Sequence, residues 1–261
     1  DWFDQSKQPV VISAEDGIQL HGWLFDPDCA GAKPHLYAIC CHGYSGQPQD
    51  MAKYAHRFAR LGFTVLVPAL RGHGLSEGRY AGMGWLDRRD LMRWISLIID
   101  SDADARILLQ GKSMGAAAVM MTVGEPDLPR NVVAAVEDCG YASVGQQFID
   151  CARSMFHLPK FLAKPIVTTM GAIARRRAGY GFQEASCVEQ LKHATIPMLF
   201  IHGGADDFVP SRALDENFDA CASIDRQKLL IPSAGHSMSA STAPVVYWKT
   251  VTNFVTRVFG L

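Results

Sequence analysis

Short, unbroken apolar runs alternate along this chain with longer stretches in which apolar residues recur every three or four positions. The run Leu36-Tyr37-Ala38-Ile39-Cys40-Cys41 has the length of a strand buried on both faces. Residues 63–67, 106–110, 132–137, 198–201 and 228–231 repeat that pattern, and residues 51–61, 85–99, 114–123, 211–221 and 245–259 predict helices between or after them. The first helix stops at Gly62, as a C-terminal glycine allows. In 85–99, Trp85, Leu86, Leu91, Trp94, Ile95 and Ile98 share one face, with Asp87, Arg88, Asp90 and Arg93 placed elsewhere. Upstream, residues 9–25 predict a hairpin, with Val10, Val11 and Ile12 before a turn at Glu15-Asp16-Gly17 and Ile18, Leu20 and Trp23 after it. Strands that alternate with helices need crossover connections. The expectation is an α/β fold with a mostly parallel central sheet and helices on both faces.

One stretch breaks the alternation. Residues 143–193 are too many for a connection between neighbouring elements. They predict a small helical cap insertion over the C-terminal edge of the sheet, where open α/β sheets bind ligands, within a single domain spanning 1–261. The insertion holds Phe148, Met155, Phe156, Leu158, Phe161, Leu162 and Met170 beside the triplet Arg175-Arg176-Arg177. The triplet reads as a solvated helix face rather than an attractor of acidic substrate.

Composition narrows the classes. With 25 basic and 26 acidic residues, the chain lacks the cationic excess that nucleic-acid binding needs, so small molecules are the expected partners. No apolar stretch is long enough to span a bilayer. The seven cysteines include no C-x-x-C pair, which fits buried thiols acting as small hydrophobes better than disulfides or a metal site. Such thiols suit a reducing compartment.

The chemistry concentrates at Gly111-Lys112-Ser113-Met114-Gly115. This Gly-x-Ser-x-Gly follows a predicted strand and precedes an apolar helix, the setting of a nucleophile elbow. A serine there sits at a helix N-terminus, where N–H groups favour developing negative charge. It needs a base to take its proton, and nine histidines compete: 21, 35, 42, 56, 73, 157, 193, 202 and 236. His236 lies in the loop beyond the last predicted strand. Asp206, Asp207 and Asp138 each follow a strand and compete for the supporting carboxylate. The N–H of Met114 and that of Tyr44, after the strand ending at Cys41, are the candidate oxyanion donors.

These motifs together resemble the α/β-hydrolase superfamily over nearly the whole chain. His42-Gly43-Tyr44 resembles its oxyanion loop, Arg71-Gly72-His73-Gly74-Leu75-Ser76 its R-G-H-G-x-S turn, and His202-Gly203-x-x-Asp206-x-x-Val209-Pro210 its acid motif. The resemblance implies the chain order nucleophile, acid, histidine. That order implies Ser113, Asp206 and His236, with Asp206 taken over Asp207 by motif spacing and His157, His193 and His202 set aside. Gly82-Met83-Gly84-Trp85 and Glu137-Asp138-Cys139-Gly140-Tyr141 narrow the similarity to bacterial cell-surface hydrolases related to the serine-aminopeptidase-like and prolyl-oligopeptidase-like branches. Such proteins often carry an N-terminal membrane anchor, which would fit a chain that begins at Asp1 and place it at the cell surface, or otherwise in the cytoplasm. Two positions depart from the pattern: Ala69 stands where the family usually has Asp, and Lys112 at the elbow would bias the site toward anionic substrates.

The expected function is hydrolysis of a small-molecule carboxylic ester by a Ser-His-Asp acyl-enzyme mechanism, with no cofactor and no metal. A peptidase or amidase of the serine-aminopeptidase type is the alternative, and it would need acidic groups for a peptide N-terminus. A dehalogenase would have Asp as nucleophile. A non-catalytic binding protein of this fold predicts a broken triad or a blocked oxyanion loop, and the sequence has neither.

Overall fold

The computed structural model describes residues 2–261. Its eight strands are β1 (Gln8–Ser13), β2 (Gln19–Phe25), β3 (Leu36–Cys41), β4 (Thr64–Pro68), β5 (Arg106–Lys112), β6 (Val132–Asp138), β7 (Met198–Gly203) and β8 (Arg226–Ile231). Ten α-helices accompany them: α1 (Trp2–Ser6), α2 (Ala52–Arg60), α3 (Asp87–Ser101), α4 (Met114–Val123), α5 (Val144–Phe156), α6 (Lys160–Ala178), α7 (Cys187–Leu191), α8 (Arg212–Ala220), α9 (Ser239–Thr242) and α10 (Pro244–Phe259). The strands form one sheet in the order β1-β2-β4-β3-β5-β6-β7-β8. β1 with β2 and β2 with β4 pair antiparallel, and every other pair is parallel. The fold is therefore the mostly parallel α/β arrangement that the alternating pattern predicts, and it is of the α/β-hydrolase type that the resemblance implies.

The apolar runs are continuous because both faces of the sheet are covered. Along β3, Ile39 and Cys41 pack into a core with α3, α4 and α8, whereas Ala38 and Cys40 pack into a second core with α2 and α10. Five cysteines (40, 41, 139, 187 and 221) are buried free thiols, while Cys29 is exposed and Cys151 half-buried. The expectation of buried thiols thus fails at those two.

The face assigned to α3 needs a larger correction. Asp87 and Asp90, set apart from the apolar face in the sequence pattern, are buried with it. Asp90 takes a bidentate pair from Arg71, at 2.7 Å to Nε and 2.6 Å to Nη2. Asp87 accepts the Gly84 N–H at 2.8 Å. Hydrophobic periodicity carries no information about such long-range partners, so it misplaces a carboxylate whose burial is compensated elsewhere.

From β3 the chain turns outward to β4, then returns across the sheet to β5 on the other side of β3. This reversal is a topological switch point, and the crevice beyond the carboxyl ends of β3 and β5 is where such sheets take ligands. Between β6 and β7 the chain leaves the sheet to form α5, α6 and α7. Among the described residues no helix is long and apolar enough to cross a membrane.

Candidate active site

Ser113 sits between β5 and α4 with φ 56° and ψ −119°, a strained conformation for a residue with a Cβ. Its neighbours explain the glycines. A Cβ on Gly111 would overlap the backbone of Gly115, and one on Gly115 would overlap the Cys41 carbonyl. The turn is fixed further by the Ser113 N–H, which donates to the Asp138 carbonyl at 2.8 Å.

His236 meets Ser113 from the loop after β8. Its Nδ1 lies 2.8 Å from Oδ2 of Asp206, and its Nε2 lies 2.8 Å from the Ser113 Oγ. An ionised carboxylate only accepts, so Nδ1 carries the hydrogen and Nε2 is free to accept from the serine hydroxyl. Phe208 packs its ring against the imidazole, with centroids 5.0 Å apart.

The acid motif reads out in the same way. Oδ1 of Asp206 accepts the N–H groups of Phe208 at 3.0 Å and Val209 at 2.8 Å. Burial works against its charge, but His202, His236 and the Val209 N–H outweigh that and hold the carboxyl well below its ordinary range. Its neighbour Asp207 is exposed. The other rival, Asp138, points to the far side of the sheet, where it accepts the Tyr247 hydroxyl at 2.9 Å. Burial raises its pKa to about 6. His157 and His193 are exposed.

The His42-Gly43-Tyr44 loop is braced by histidines that the motif reading left without a role. Buried His42 donates from Nδ1 to the Gly43 carbonyl at 2.8 Å and accepts the Leu70 N–H on Nε2 at 3.0 Å. Burial pushes its pKa down to about 4, so it stays neutral and keeps both bonds. His73, from the R-G-H-G turn, accepts the Ser45 N–H at 3.1 Å. The loop passes close to Ser113, since a Cβ on Gly43 would stand 3.2 Å from that of Ser113. Among the described residues neither the Tyr44 N–H nor the Met114 N–H has a hydrogen-bond acceptor, and both residues line the cavity that Ser113 enters. The Tyr44 ring also packs edge-on to His73, with centroids 6.0 Å apart.

That cavity, about 460 Å³, is walled by apolar and aromatic side chains. Tyr141 and Tyr180 turn their hydroxyls into the carbonyls of Met83 and Ala81, at 2.9 and 3.1 Å. Their rings therefore face the space without an unpaired polar group. The two motifs of the narrower resemblance are thus joined by one hydrogen bond. Met170, Ile173, Ala174 and Arg177 of α6 close another side, and no carboxylate lines the cavity. A second cleft of about 310 Å³ opens on the other flank of Ser113, lined by Asp50, Lys112, His236 and Ser237 among others. A larger depression of about 740 Å³ lies around the C-terminal end of α4 and the start of β6, at the opposite sheet edge from Ser113.

Cys139 is the neighbour that sequence reasoning missed. Its Sγ lies 3.4 Å from the Ser237 Oγ. It lies within 4.8 Å of donor atoms of Asp206 and His236, the one cluster of three metal-type donors among the described residues. Burial raises the thiol pKa well above its usual value, and Asp206 and His236 are already bonded to each other. As it stands, the cluster is the bonded His236–Asp206 pair with a protonated thiol beside it, turned to Ser237.

The chain is 26% identical over 255 residues to the uncharacterized protein YqkD of Bacillus subtilis (strain 168), covering 97% of this chain and 81% of that protein. The structure resembles the Pyrococcus furiosus esterase Pf2001 with a TM-score of 0.76 at 20% identity, covering 97% of this chain and 92% of the esterase. It also resembles an acylaminoacyl peptidase of Pyrococcus horikoshii with a TM-score of 0.66 at 15% identity, covering 98% of this chain and 43% of the peptidase. At such identities the two structures speak for the fold alone, an α/β-hydrolase. The model of the serine aminopeptidase S33 family matches residues 32–171, more than half of the chain, and the protein is a member of that hydrolase family.

Proposed function

We propose that the chain hydrolyses carboxylic esters of small molecules, with Ser113 as nucleophile, His236 as general base and acid, and Asp206 as the carboxylate that orients it. The observation that carries this reading is the unbroken relay from Ser113 Oγ to His236 to Asp206, each link 2.8 Å long. The Ser113 oxygen attacks the ester carbonyl while its proton passes to Nε2 of His236. The resulting oxyanion accepts from the N–H groups of Tyr44 and Met114. Collapse expels the alcohol, which takes the proton from His236 and leaves the acyl group on Ser113. Water then gives a proton to His236 and attacks the acyl-enzyme, and release of the acid restores the serine.

The apolar cavity suits the acyl chain, and the polar cleft beside Lys112 suits the alcohol. Helices α5 and α6 act in this proposal as the cap of one hydrolase domain, because they supply a wall of the acyl cavity. The family's name makes aminopeptidase action the second reading. An aminopeptidase must hold a terminal ammonium group; among the described residues the apolar cavity has no carboxylate in its lining, and Asp50 in the second cleft already accepts the Gln47 N–H at 2.8 Å. The deciding experiment compares p-nitrophenyl esters of rising acyl length with aminoacyl anilides. Higher kcat/KM on the esters is expected, and higher kcat/KM on the anilides would overturn the ester assignment.

A further inference from the structure

Between Asp150 and Glu184 the chain has no acidic residue, yet it carries Arg153, Lys160, Lys164, Arg175, Arg176 and Arg177. The excess is local, since the formal net charge of the whole chain is −1. All six cations are exposed and lie on α5 or α6. Only Arg175 has a carboxylate partner among the described residues, Glu184 at 2.9 Å.

The same two helices expose apolar side chains that a water-facing surface normally hides. At the tip where α5 turns into α6, Phe156 and Phe161 are 70% and 74% exposed. From there Leu162, Ile166, Met170 and Ile173, all exposed, follow one another at helical spacing along a single stripe of α6. Met170 and Ile173 also line the cavity that holds Ser113. The stripe therefore runs from the aromatic tip to the cavity wall.

Exposed aromatics and aliphatics flanked by cations are the composition of a helix that lies in a lipid headgroup region. The charge selects the partner. A second copy of this chain would set like cations against each other, whereas anionic phospholipid attracts them. We propose that the α5–α6 hairpin docks on an anionic phospholipid surface, with the aromatic tip and apolar stripe entering the headgroup layer. The docking itself does not depend on the ester hydrolysis proposed above. Its consequence does, because acyl chains would then reach Ser113 from the lipid side.

The test is co-sedimentation of the full chain with vesicles of phosphatidylglycerol and phosphatidylcholine in equal parts, beside vesicles of phosphatidylcholine alone. Binding to the anionic vesicles should exceed binding to the neutral ones by about tenfold or more and should weaken with salt. The double variant Phe156→Ser/Phe161→Ser and the single variant Arg176→Glu should each lower the bound fraction severalfold. Both variants lie outside the Ser113 cavity, so they should keep the wild-type melting curve and the wild-type rate on a short, water-soluble ester. Wild type that stays in the supernatant would overturn the proposal. So would equal binding to neutral vesicles, variants that bind as wild type does, or self-association in solution that the double variant abolishes, since a second copy would then be what covers the stripe. Loss of ester hydrolysis in wild type would overturn the enzymatic reading and leave the docking result standing.

Discussion

Nε2 of His202 donates to the Val209 carbonyl at 3.0 Å and lies 3.4 Å from Oδ2 of Asp206, so the carboxylate that bonds His236 is held by a second imidazole. Burial works against charge on His202, but Asp206 and the Val209 carbonyl outweigh it and raise its pKa above the ordinary 6.5. A raised histidine pKa adds stability below its unfolded value, and that stability is lost as pH rises through the folded value. Denaturant unfolding of wild type and His202→Gln should therefore differ most below about pH 6.5 and converge as pH rises. His202 positions Asp206 and touches no substrate, so the variant should lower kcat more than it alters KM. A stability gap that widens with pH would contradict this role.

Glu137 shifts stability in the same direction with pH, through a charge that the fold disfavours. It is fully buried, with one oxygen accepting the Gly140 N–H at 3.0 Å and the other without a partner. Burial pushes its pKa from 4.5 up to about 8. The unfolded chain ionises this group first, so its contribution to stability falls as pH rises across that window. Glu137→Gln keeps an acceptor for Gly140 and removes the titration. Thermal melts should show the variant gaining on wild type from pH 5 to pH 8. A constant difference in Tm would refute the assignment.

Gly43 offers a test of the oxyanion loop. A methyl group there would stand 3.2 Å from the Ser113 Cβ, and moving the loop away would withdraw the Tyr44 N–H. Steady-state kinetics of Gly43→Ala should show kcat reduced by about 10²-fold or more, in the range for loss of one oxyanion donor, with KM little altered and the fold intact. Unchanged kcat would remove Tyr44 from the proposed donors.

Arg71 and Asp90 form a buried ion pair, with Asp16 at 2.9 Å as an additional partner. Burial raises the Asp90 pKa even with the guanidinium beside it, so removing Arg71 would leave the carboxylate without its compensation. Arg71→Leu should lose about 3–5 kcal/mol in urea unfolding, the range for breaking a buried pair. A loss below about 1 kcal/mol, the range of surface pairs, would show that the pair is effectively solvated.

The order of elements was legible because the central strands are continuous apolar runs, as at residues 36–41, and the helices on the outside of the sheet are periodic, as at 52–60, while α4 is apolar all round because every face of it is buried. Ser113, the proposed nucleophile, was legible because its turn demands glycines, Gly111 and Gly115 having no room for a Cβ. His236 and Asp206 were reached through the chain order and motif spacing of the resemblance, and the structure brings the three side chains together. The burial of Asp87 and Asp90, the place of Cys139 and the bracing by His202 were not legible. Each depends on contacts between segments distant in sequence or on which way one polar side chain turns. His42 and His73 carried a signal in the HG and R-G-H-G motifs, but their task appears only when the Leu70 and Ser45 N–H groups are seen to bond to them.

The central claim is that Ser113 is the nucleophile. Intact-mass spectrometry after reaction with a fluorophosphonate, followed by peptide mapping, tests it most directly. The account predicts a single adduct on Ser113, formed by wild type and by Ser237→Ala and absent from Ser113→Ala. Wild type that takes no label, or an adduct that persists in Ser113→Ala, would contradict it.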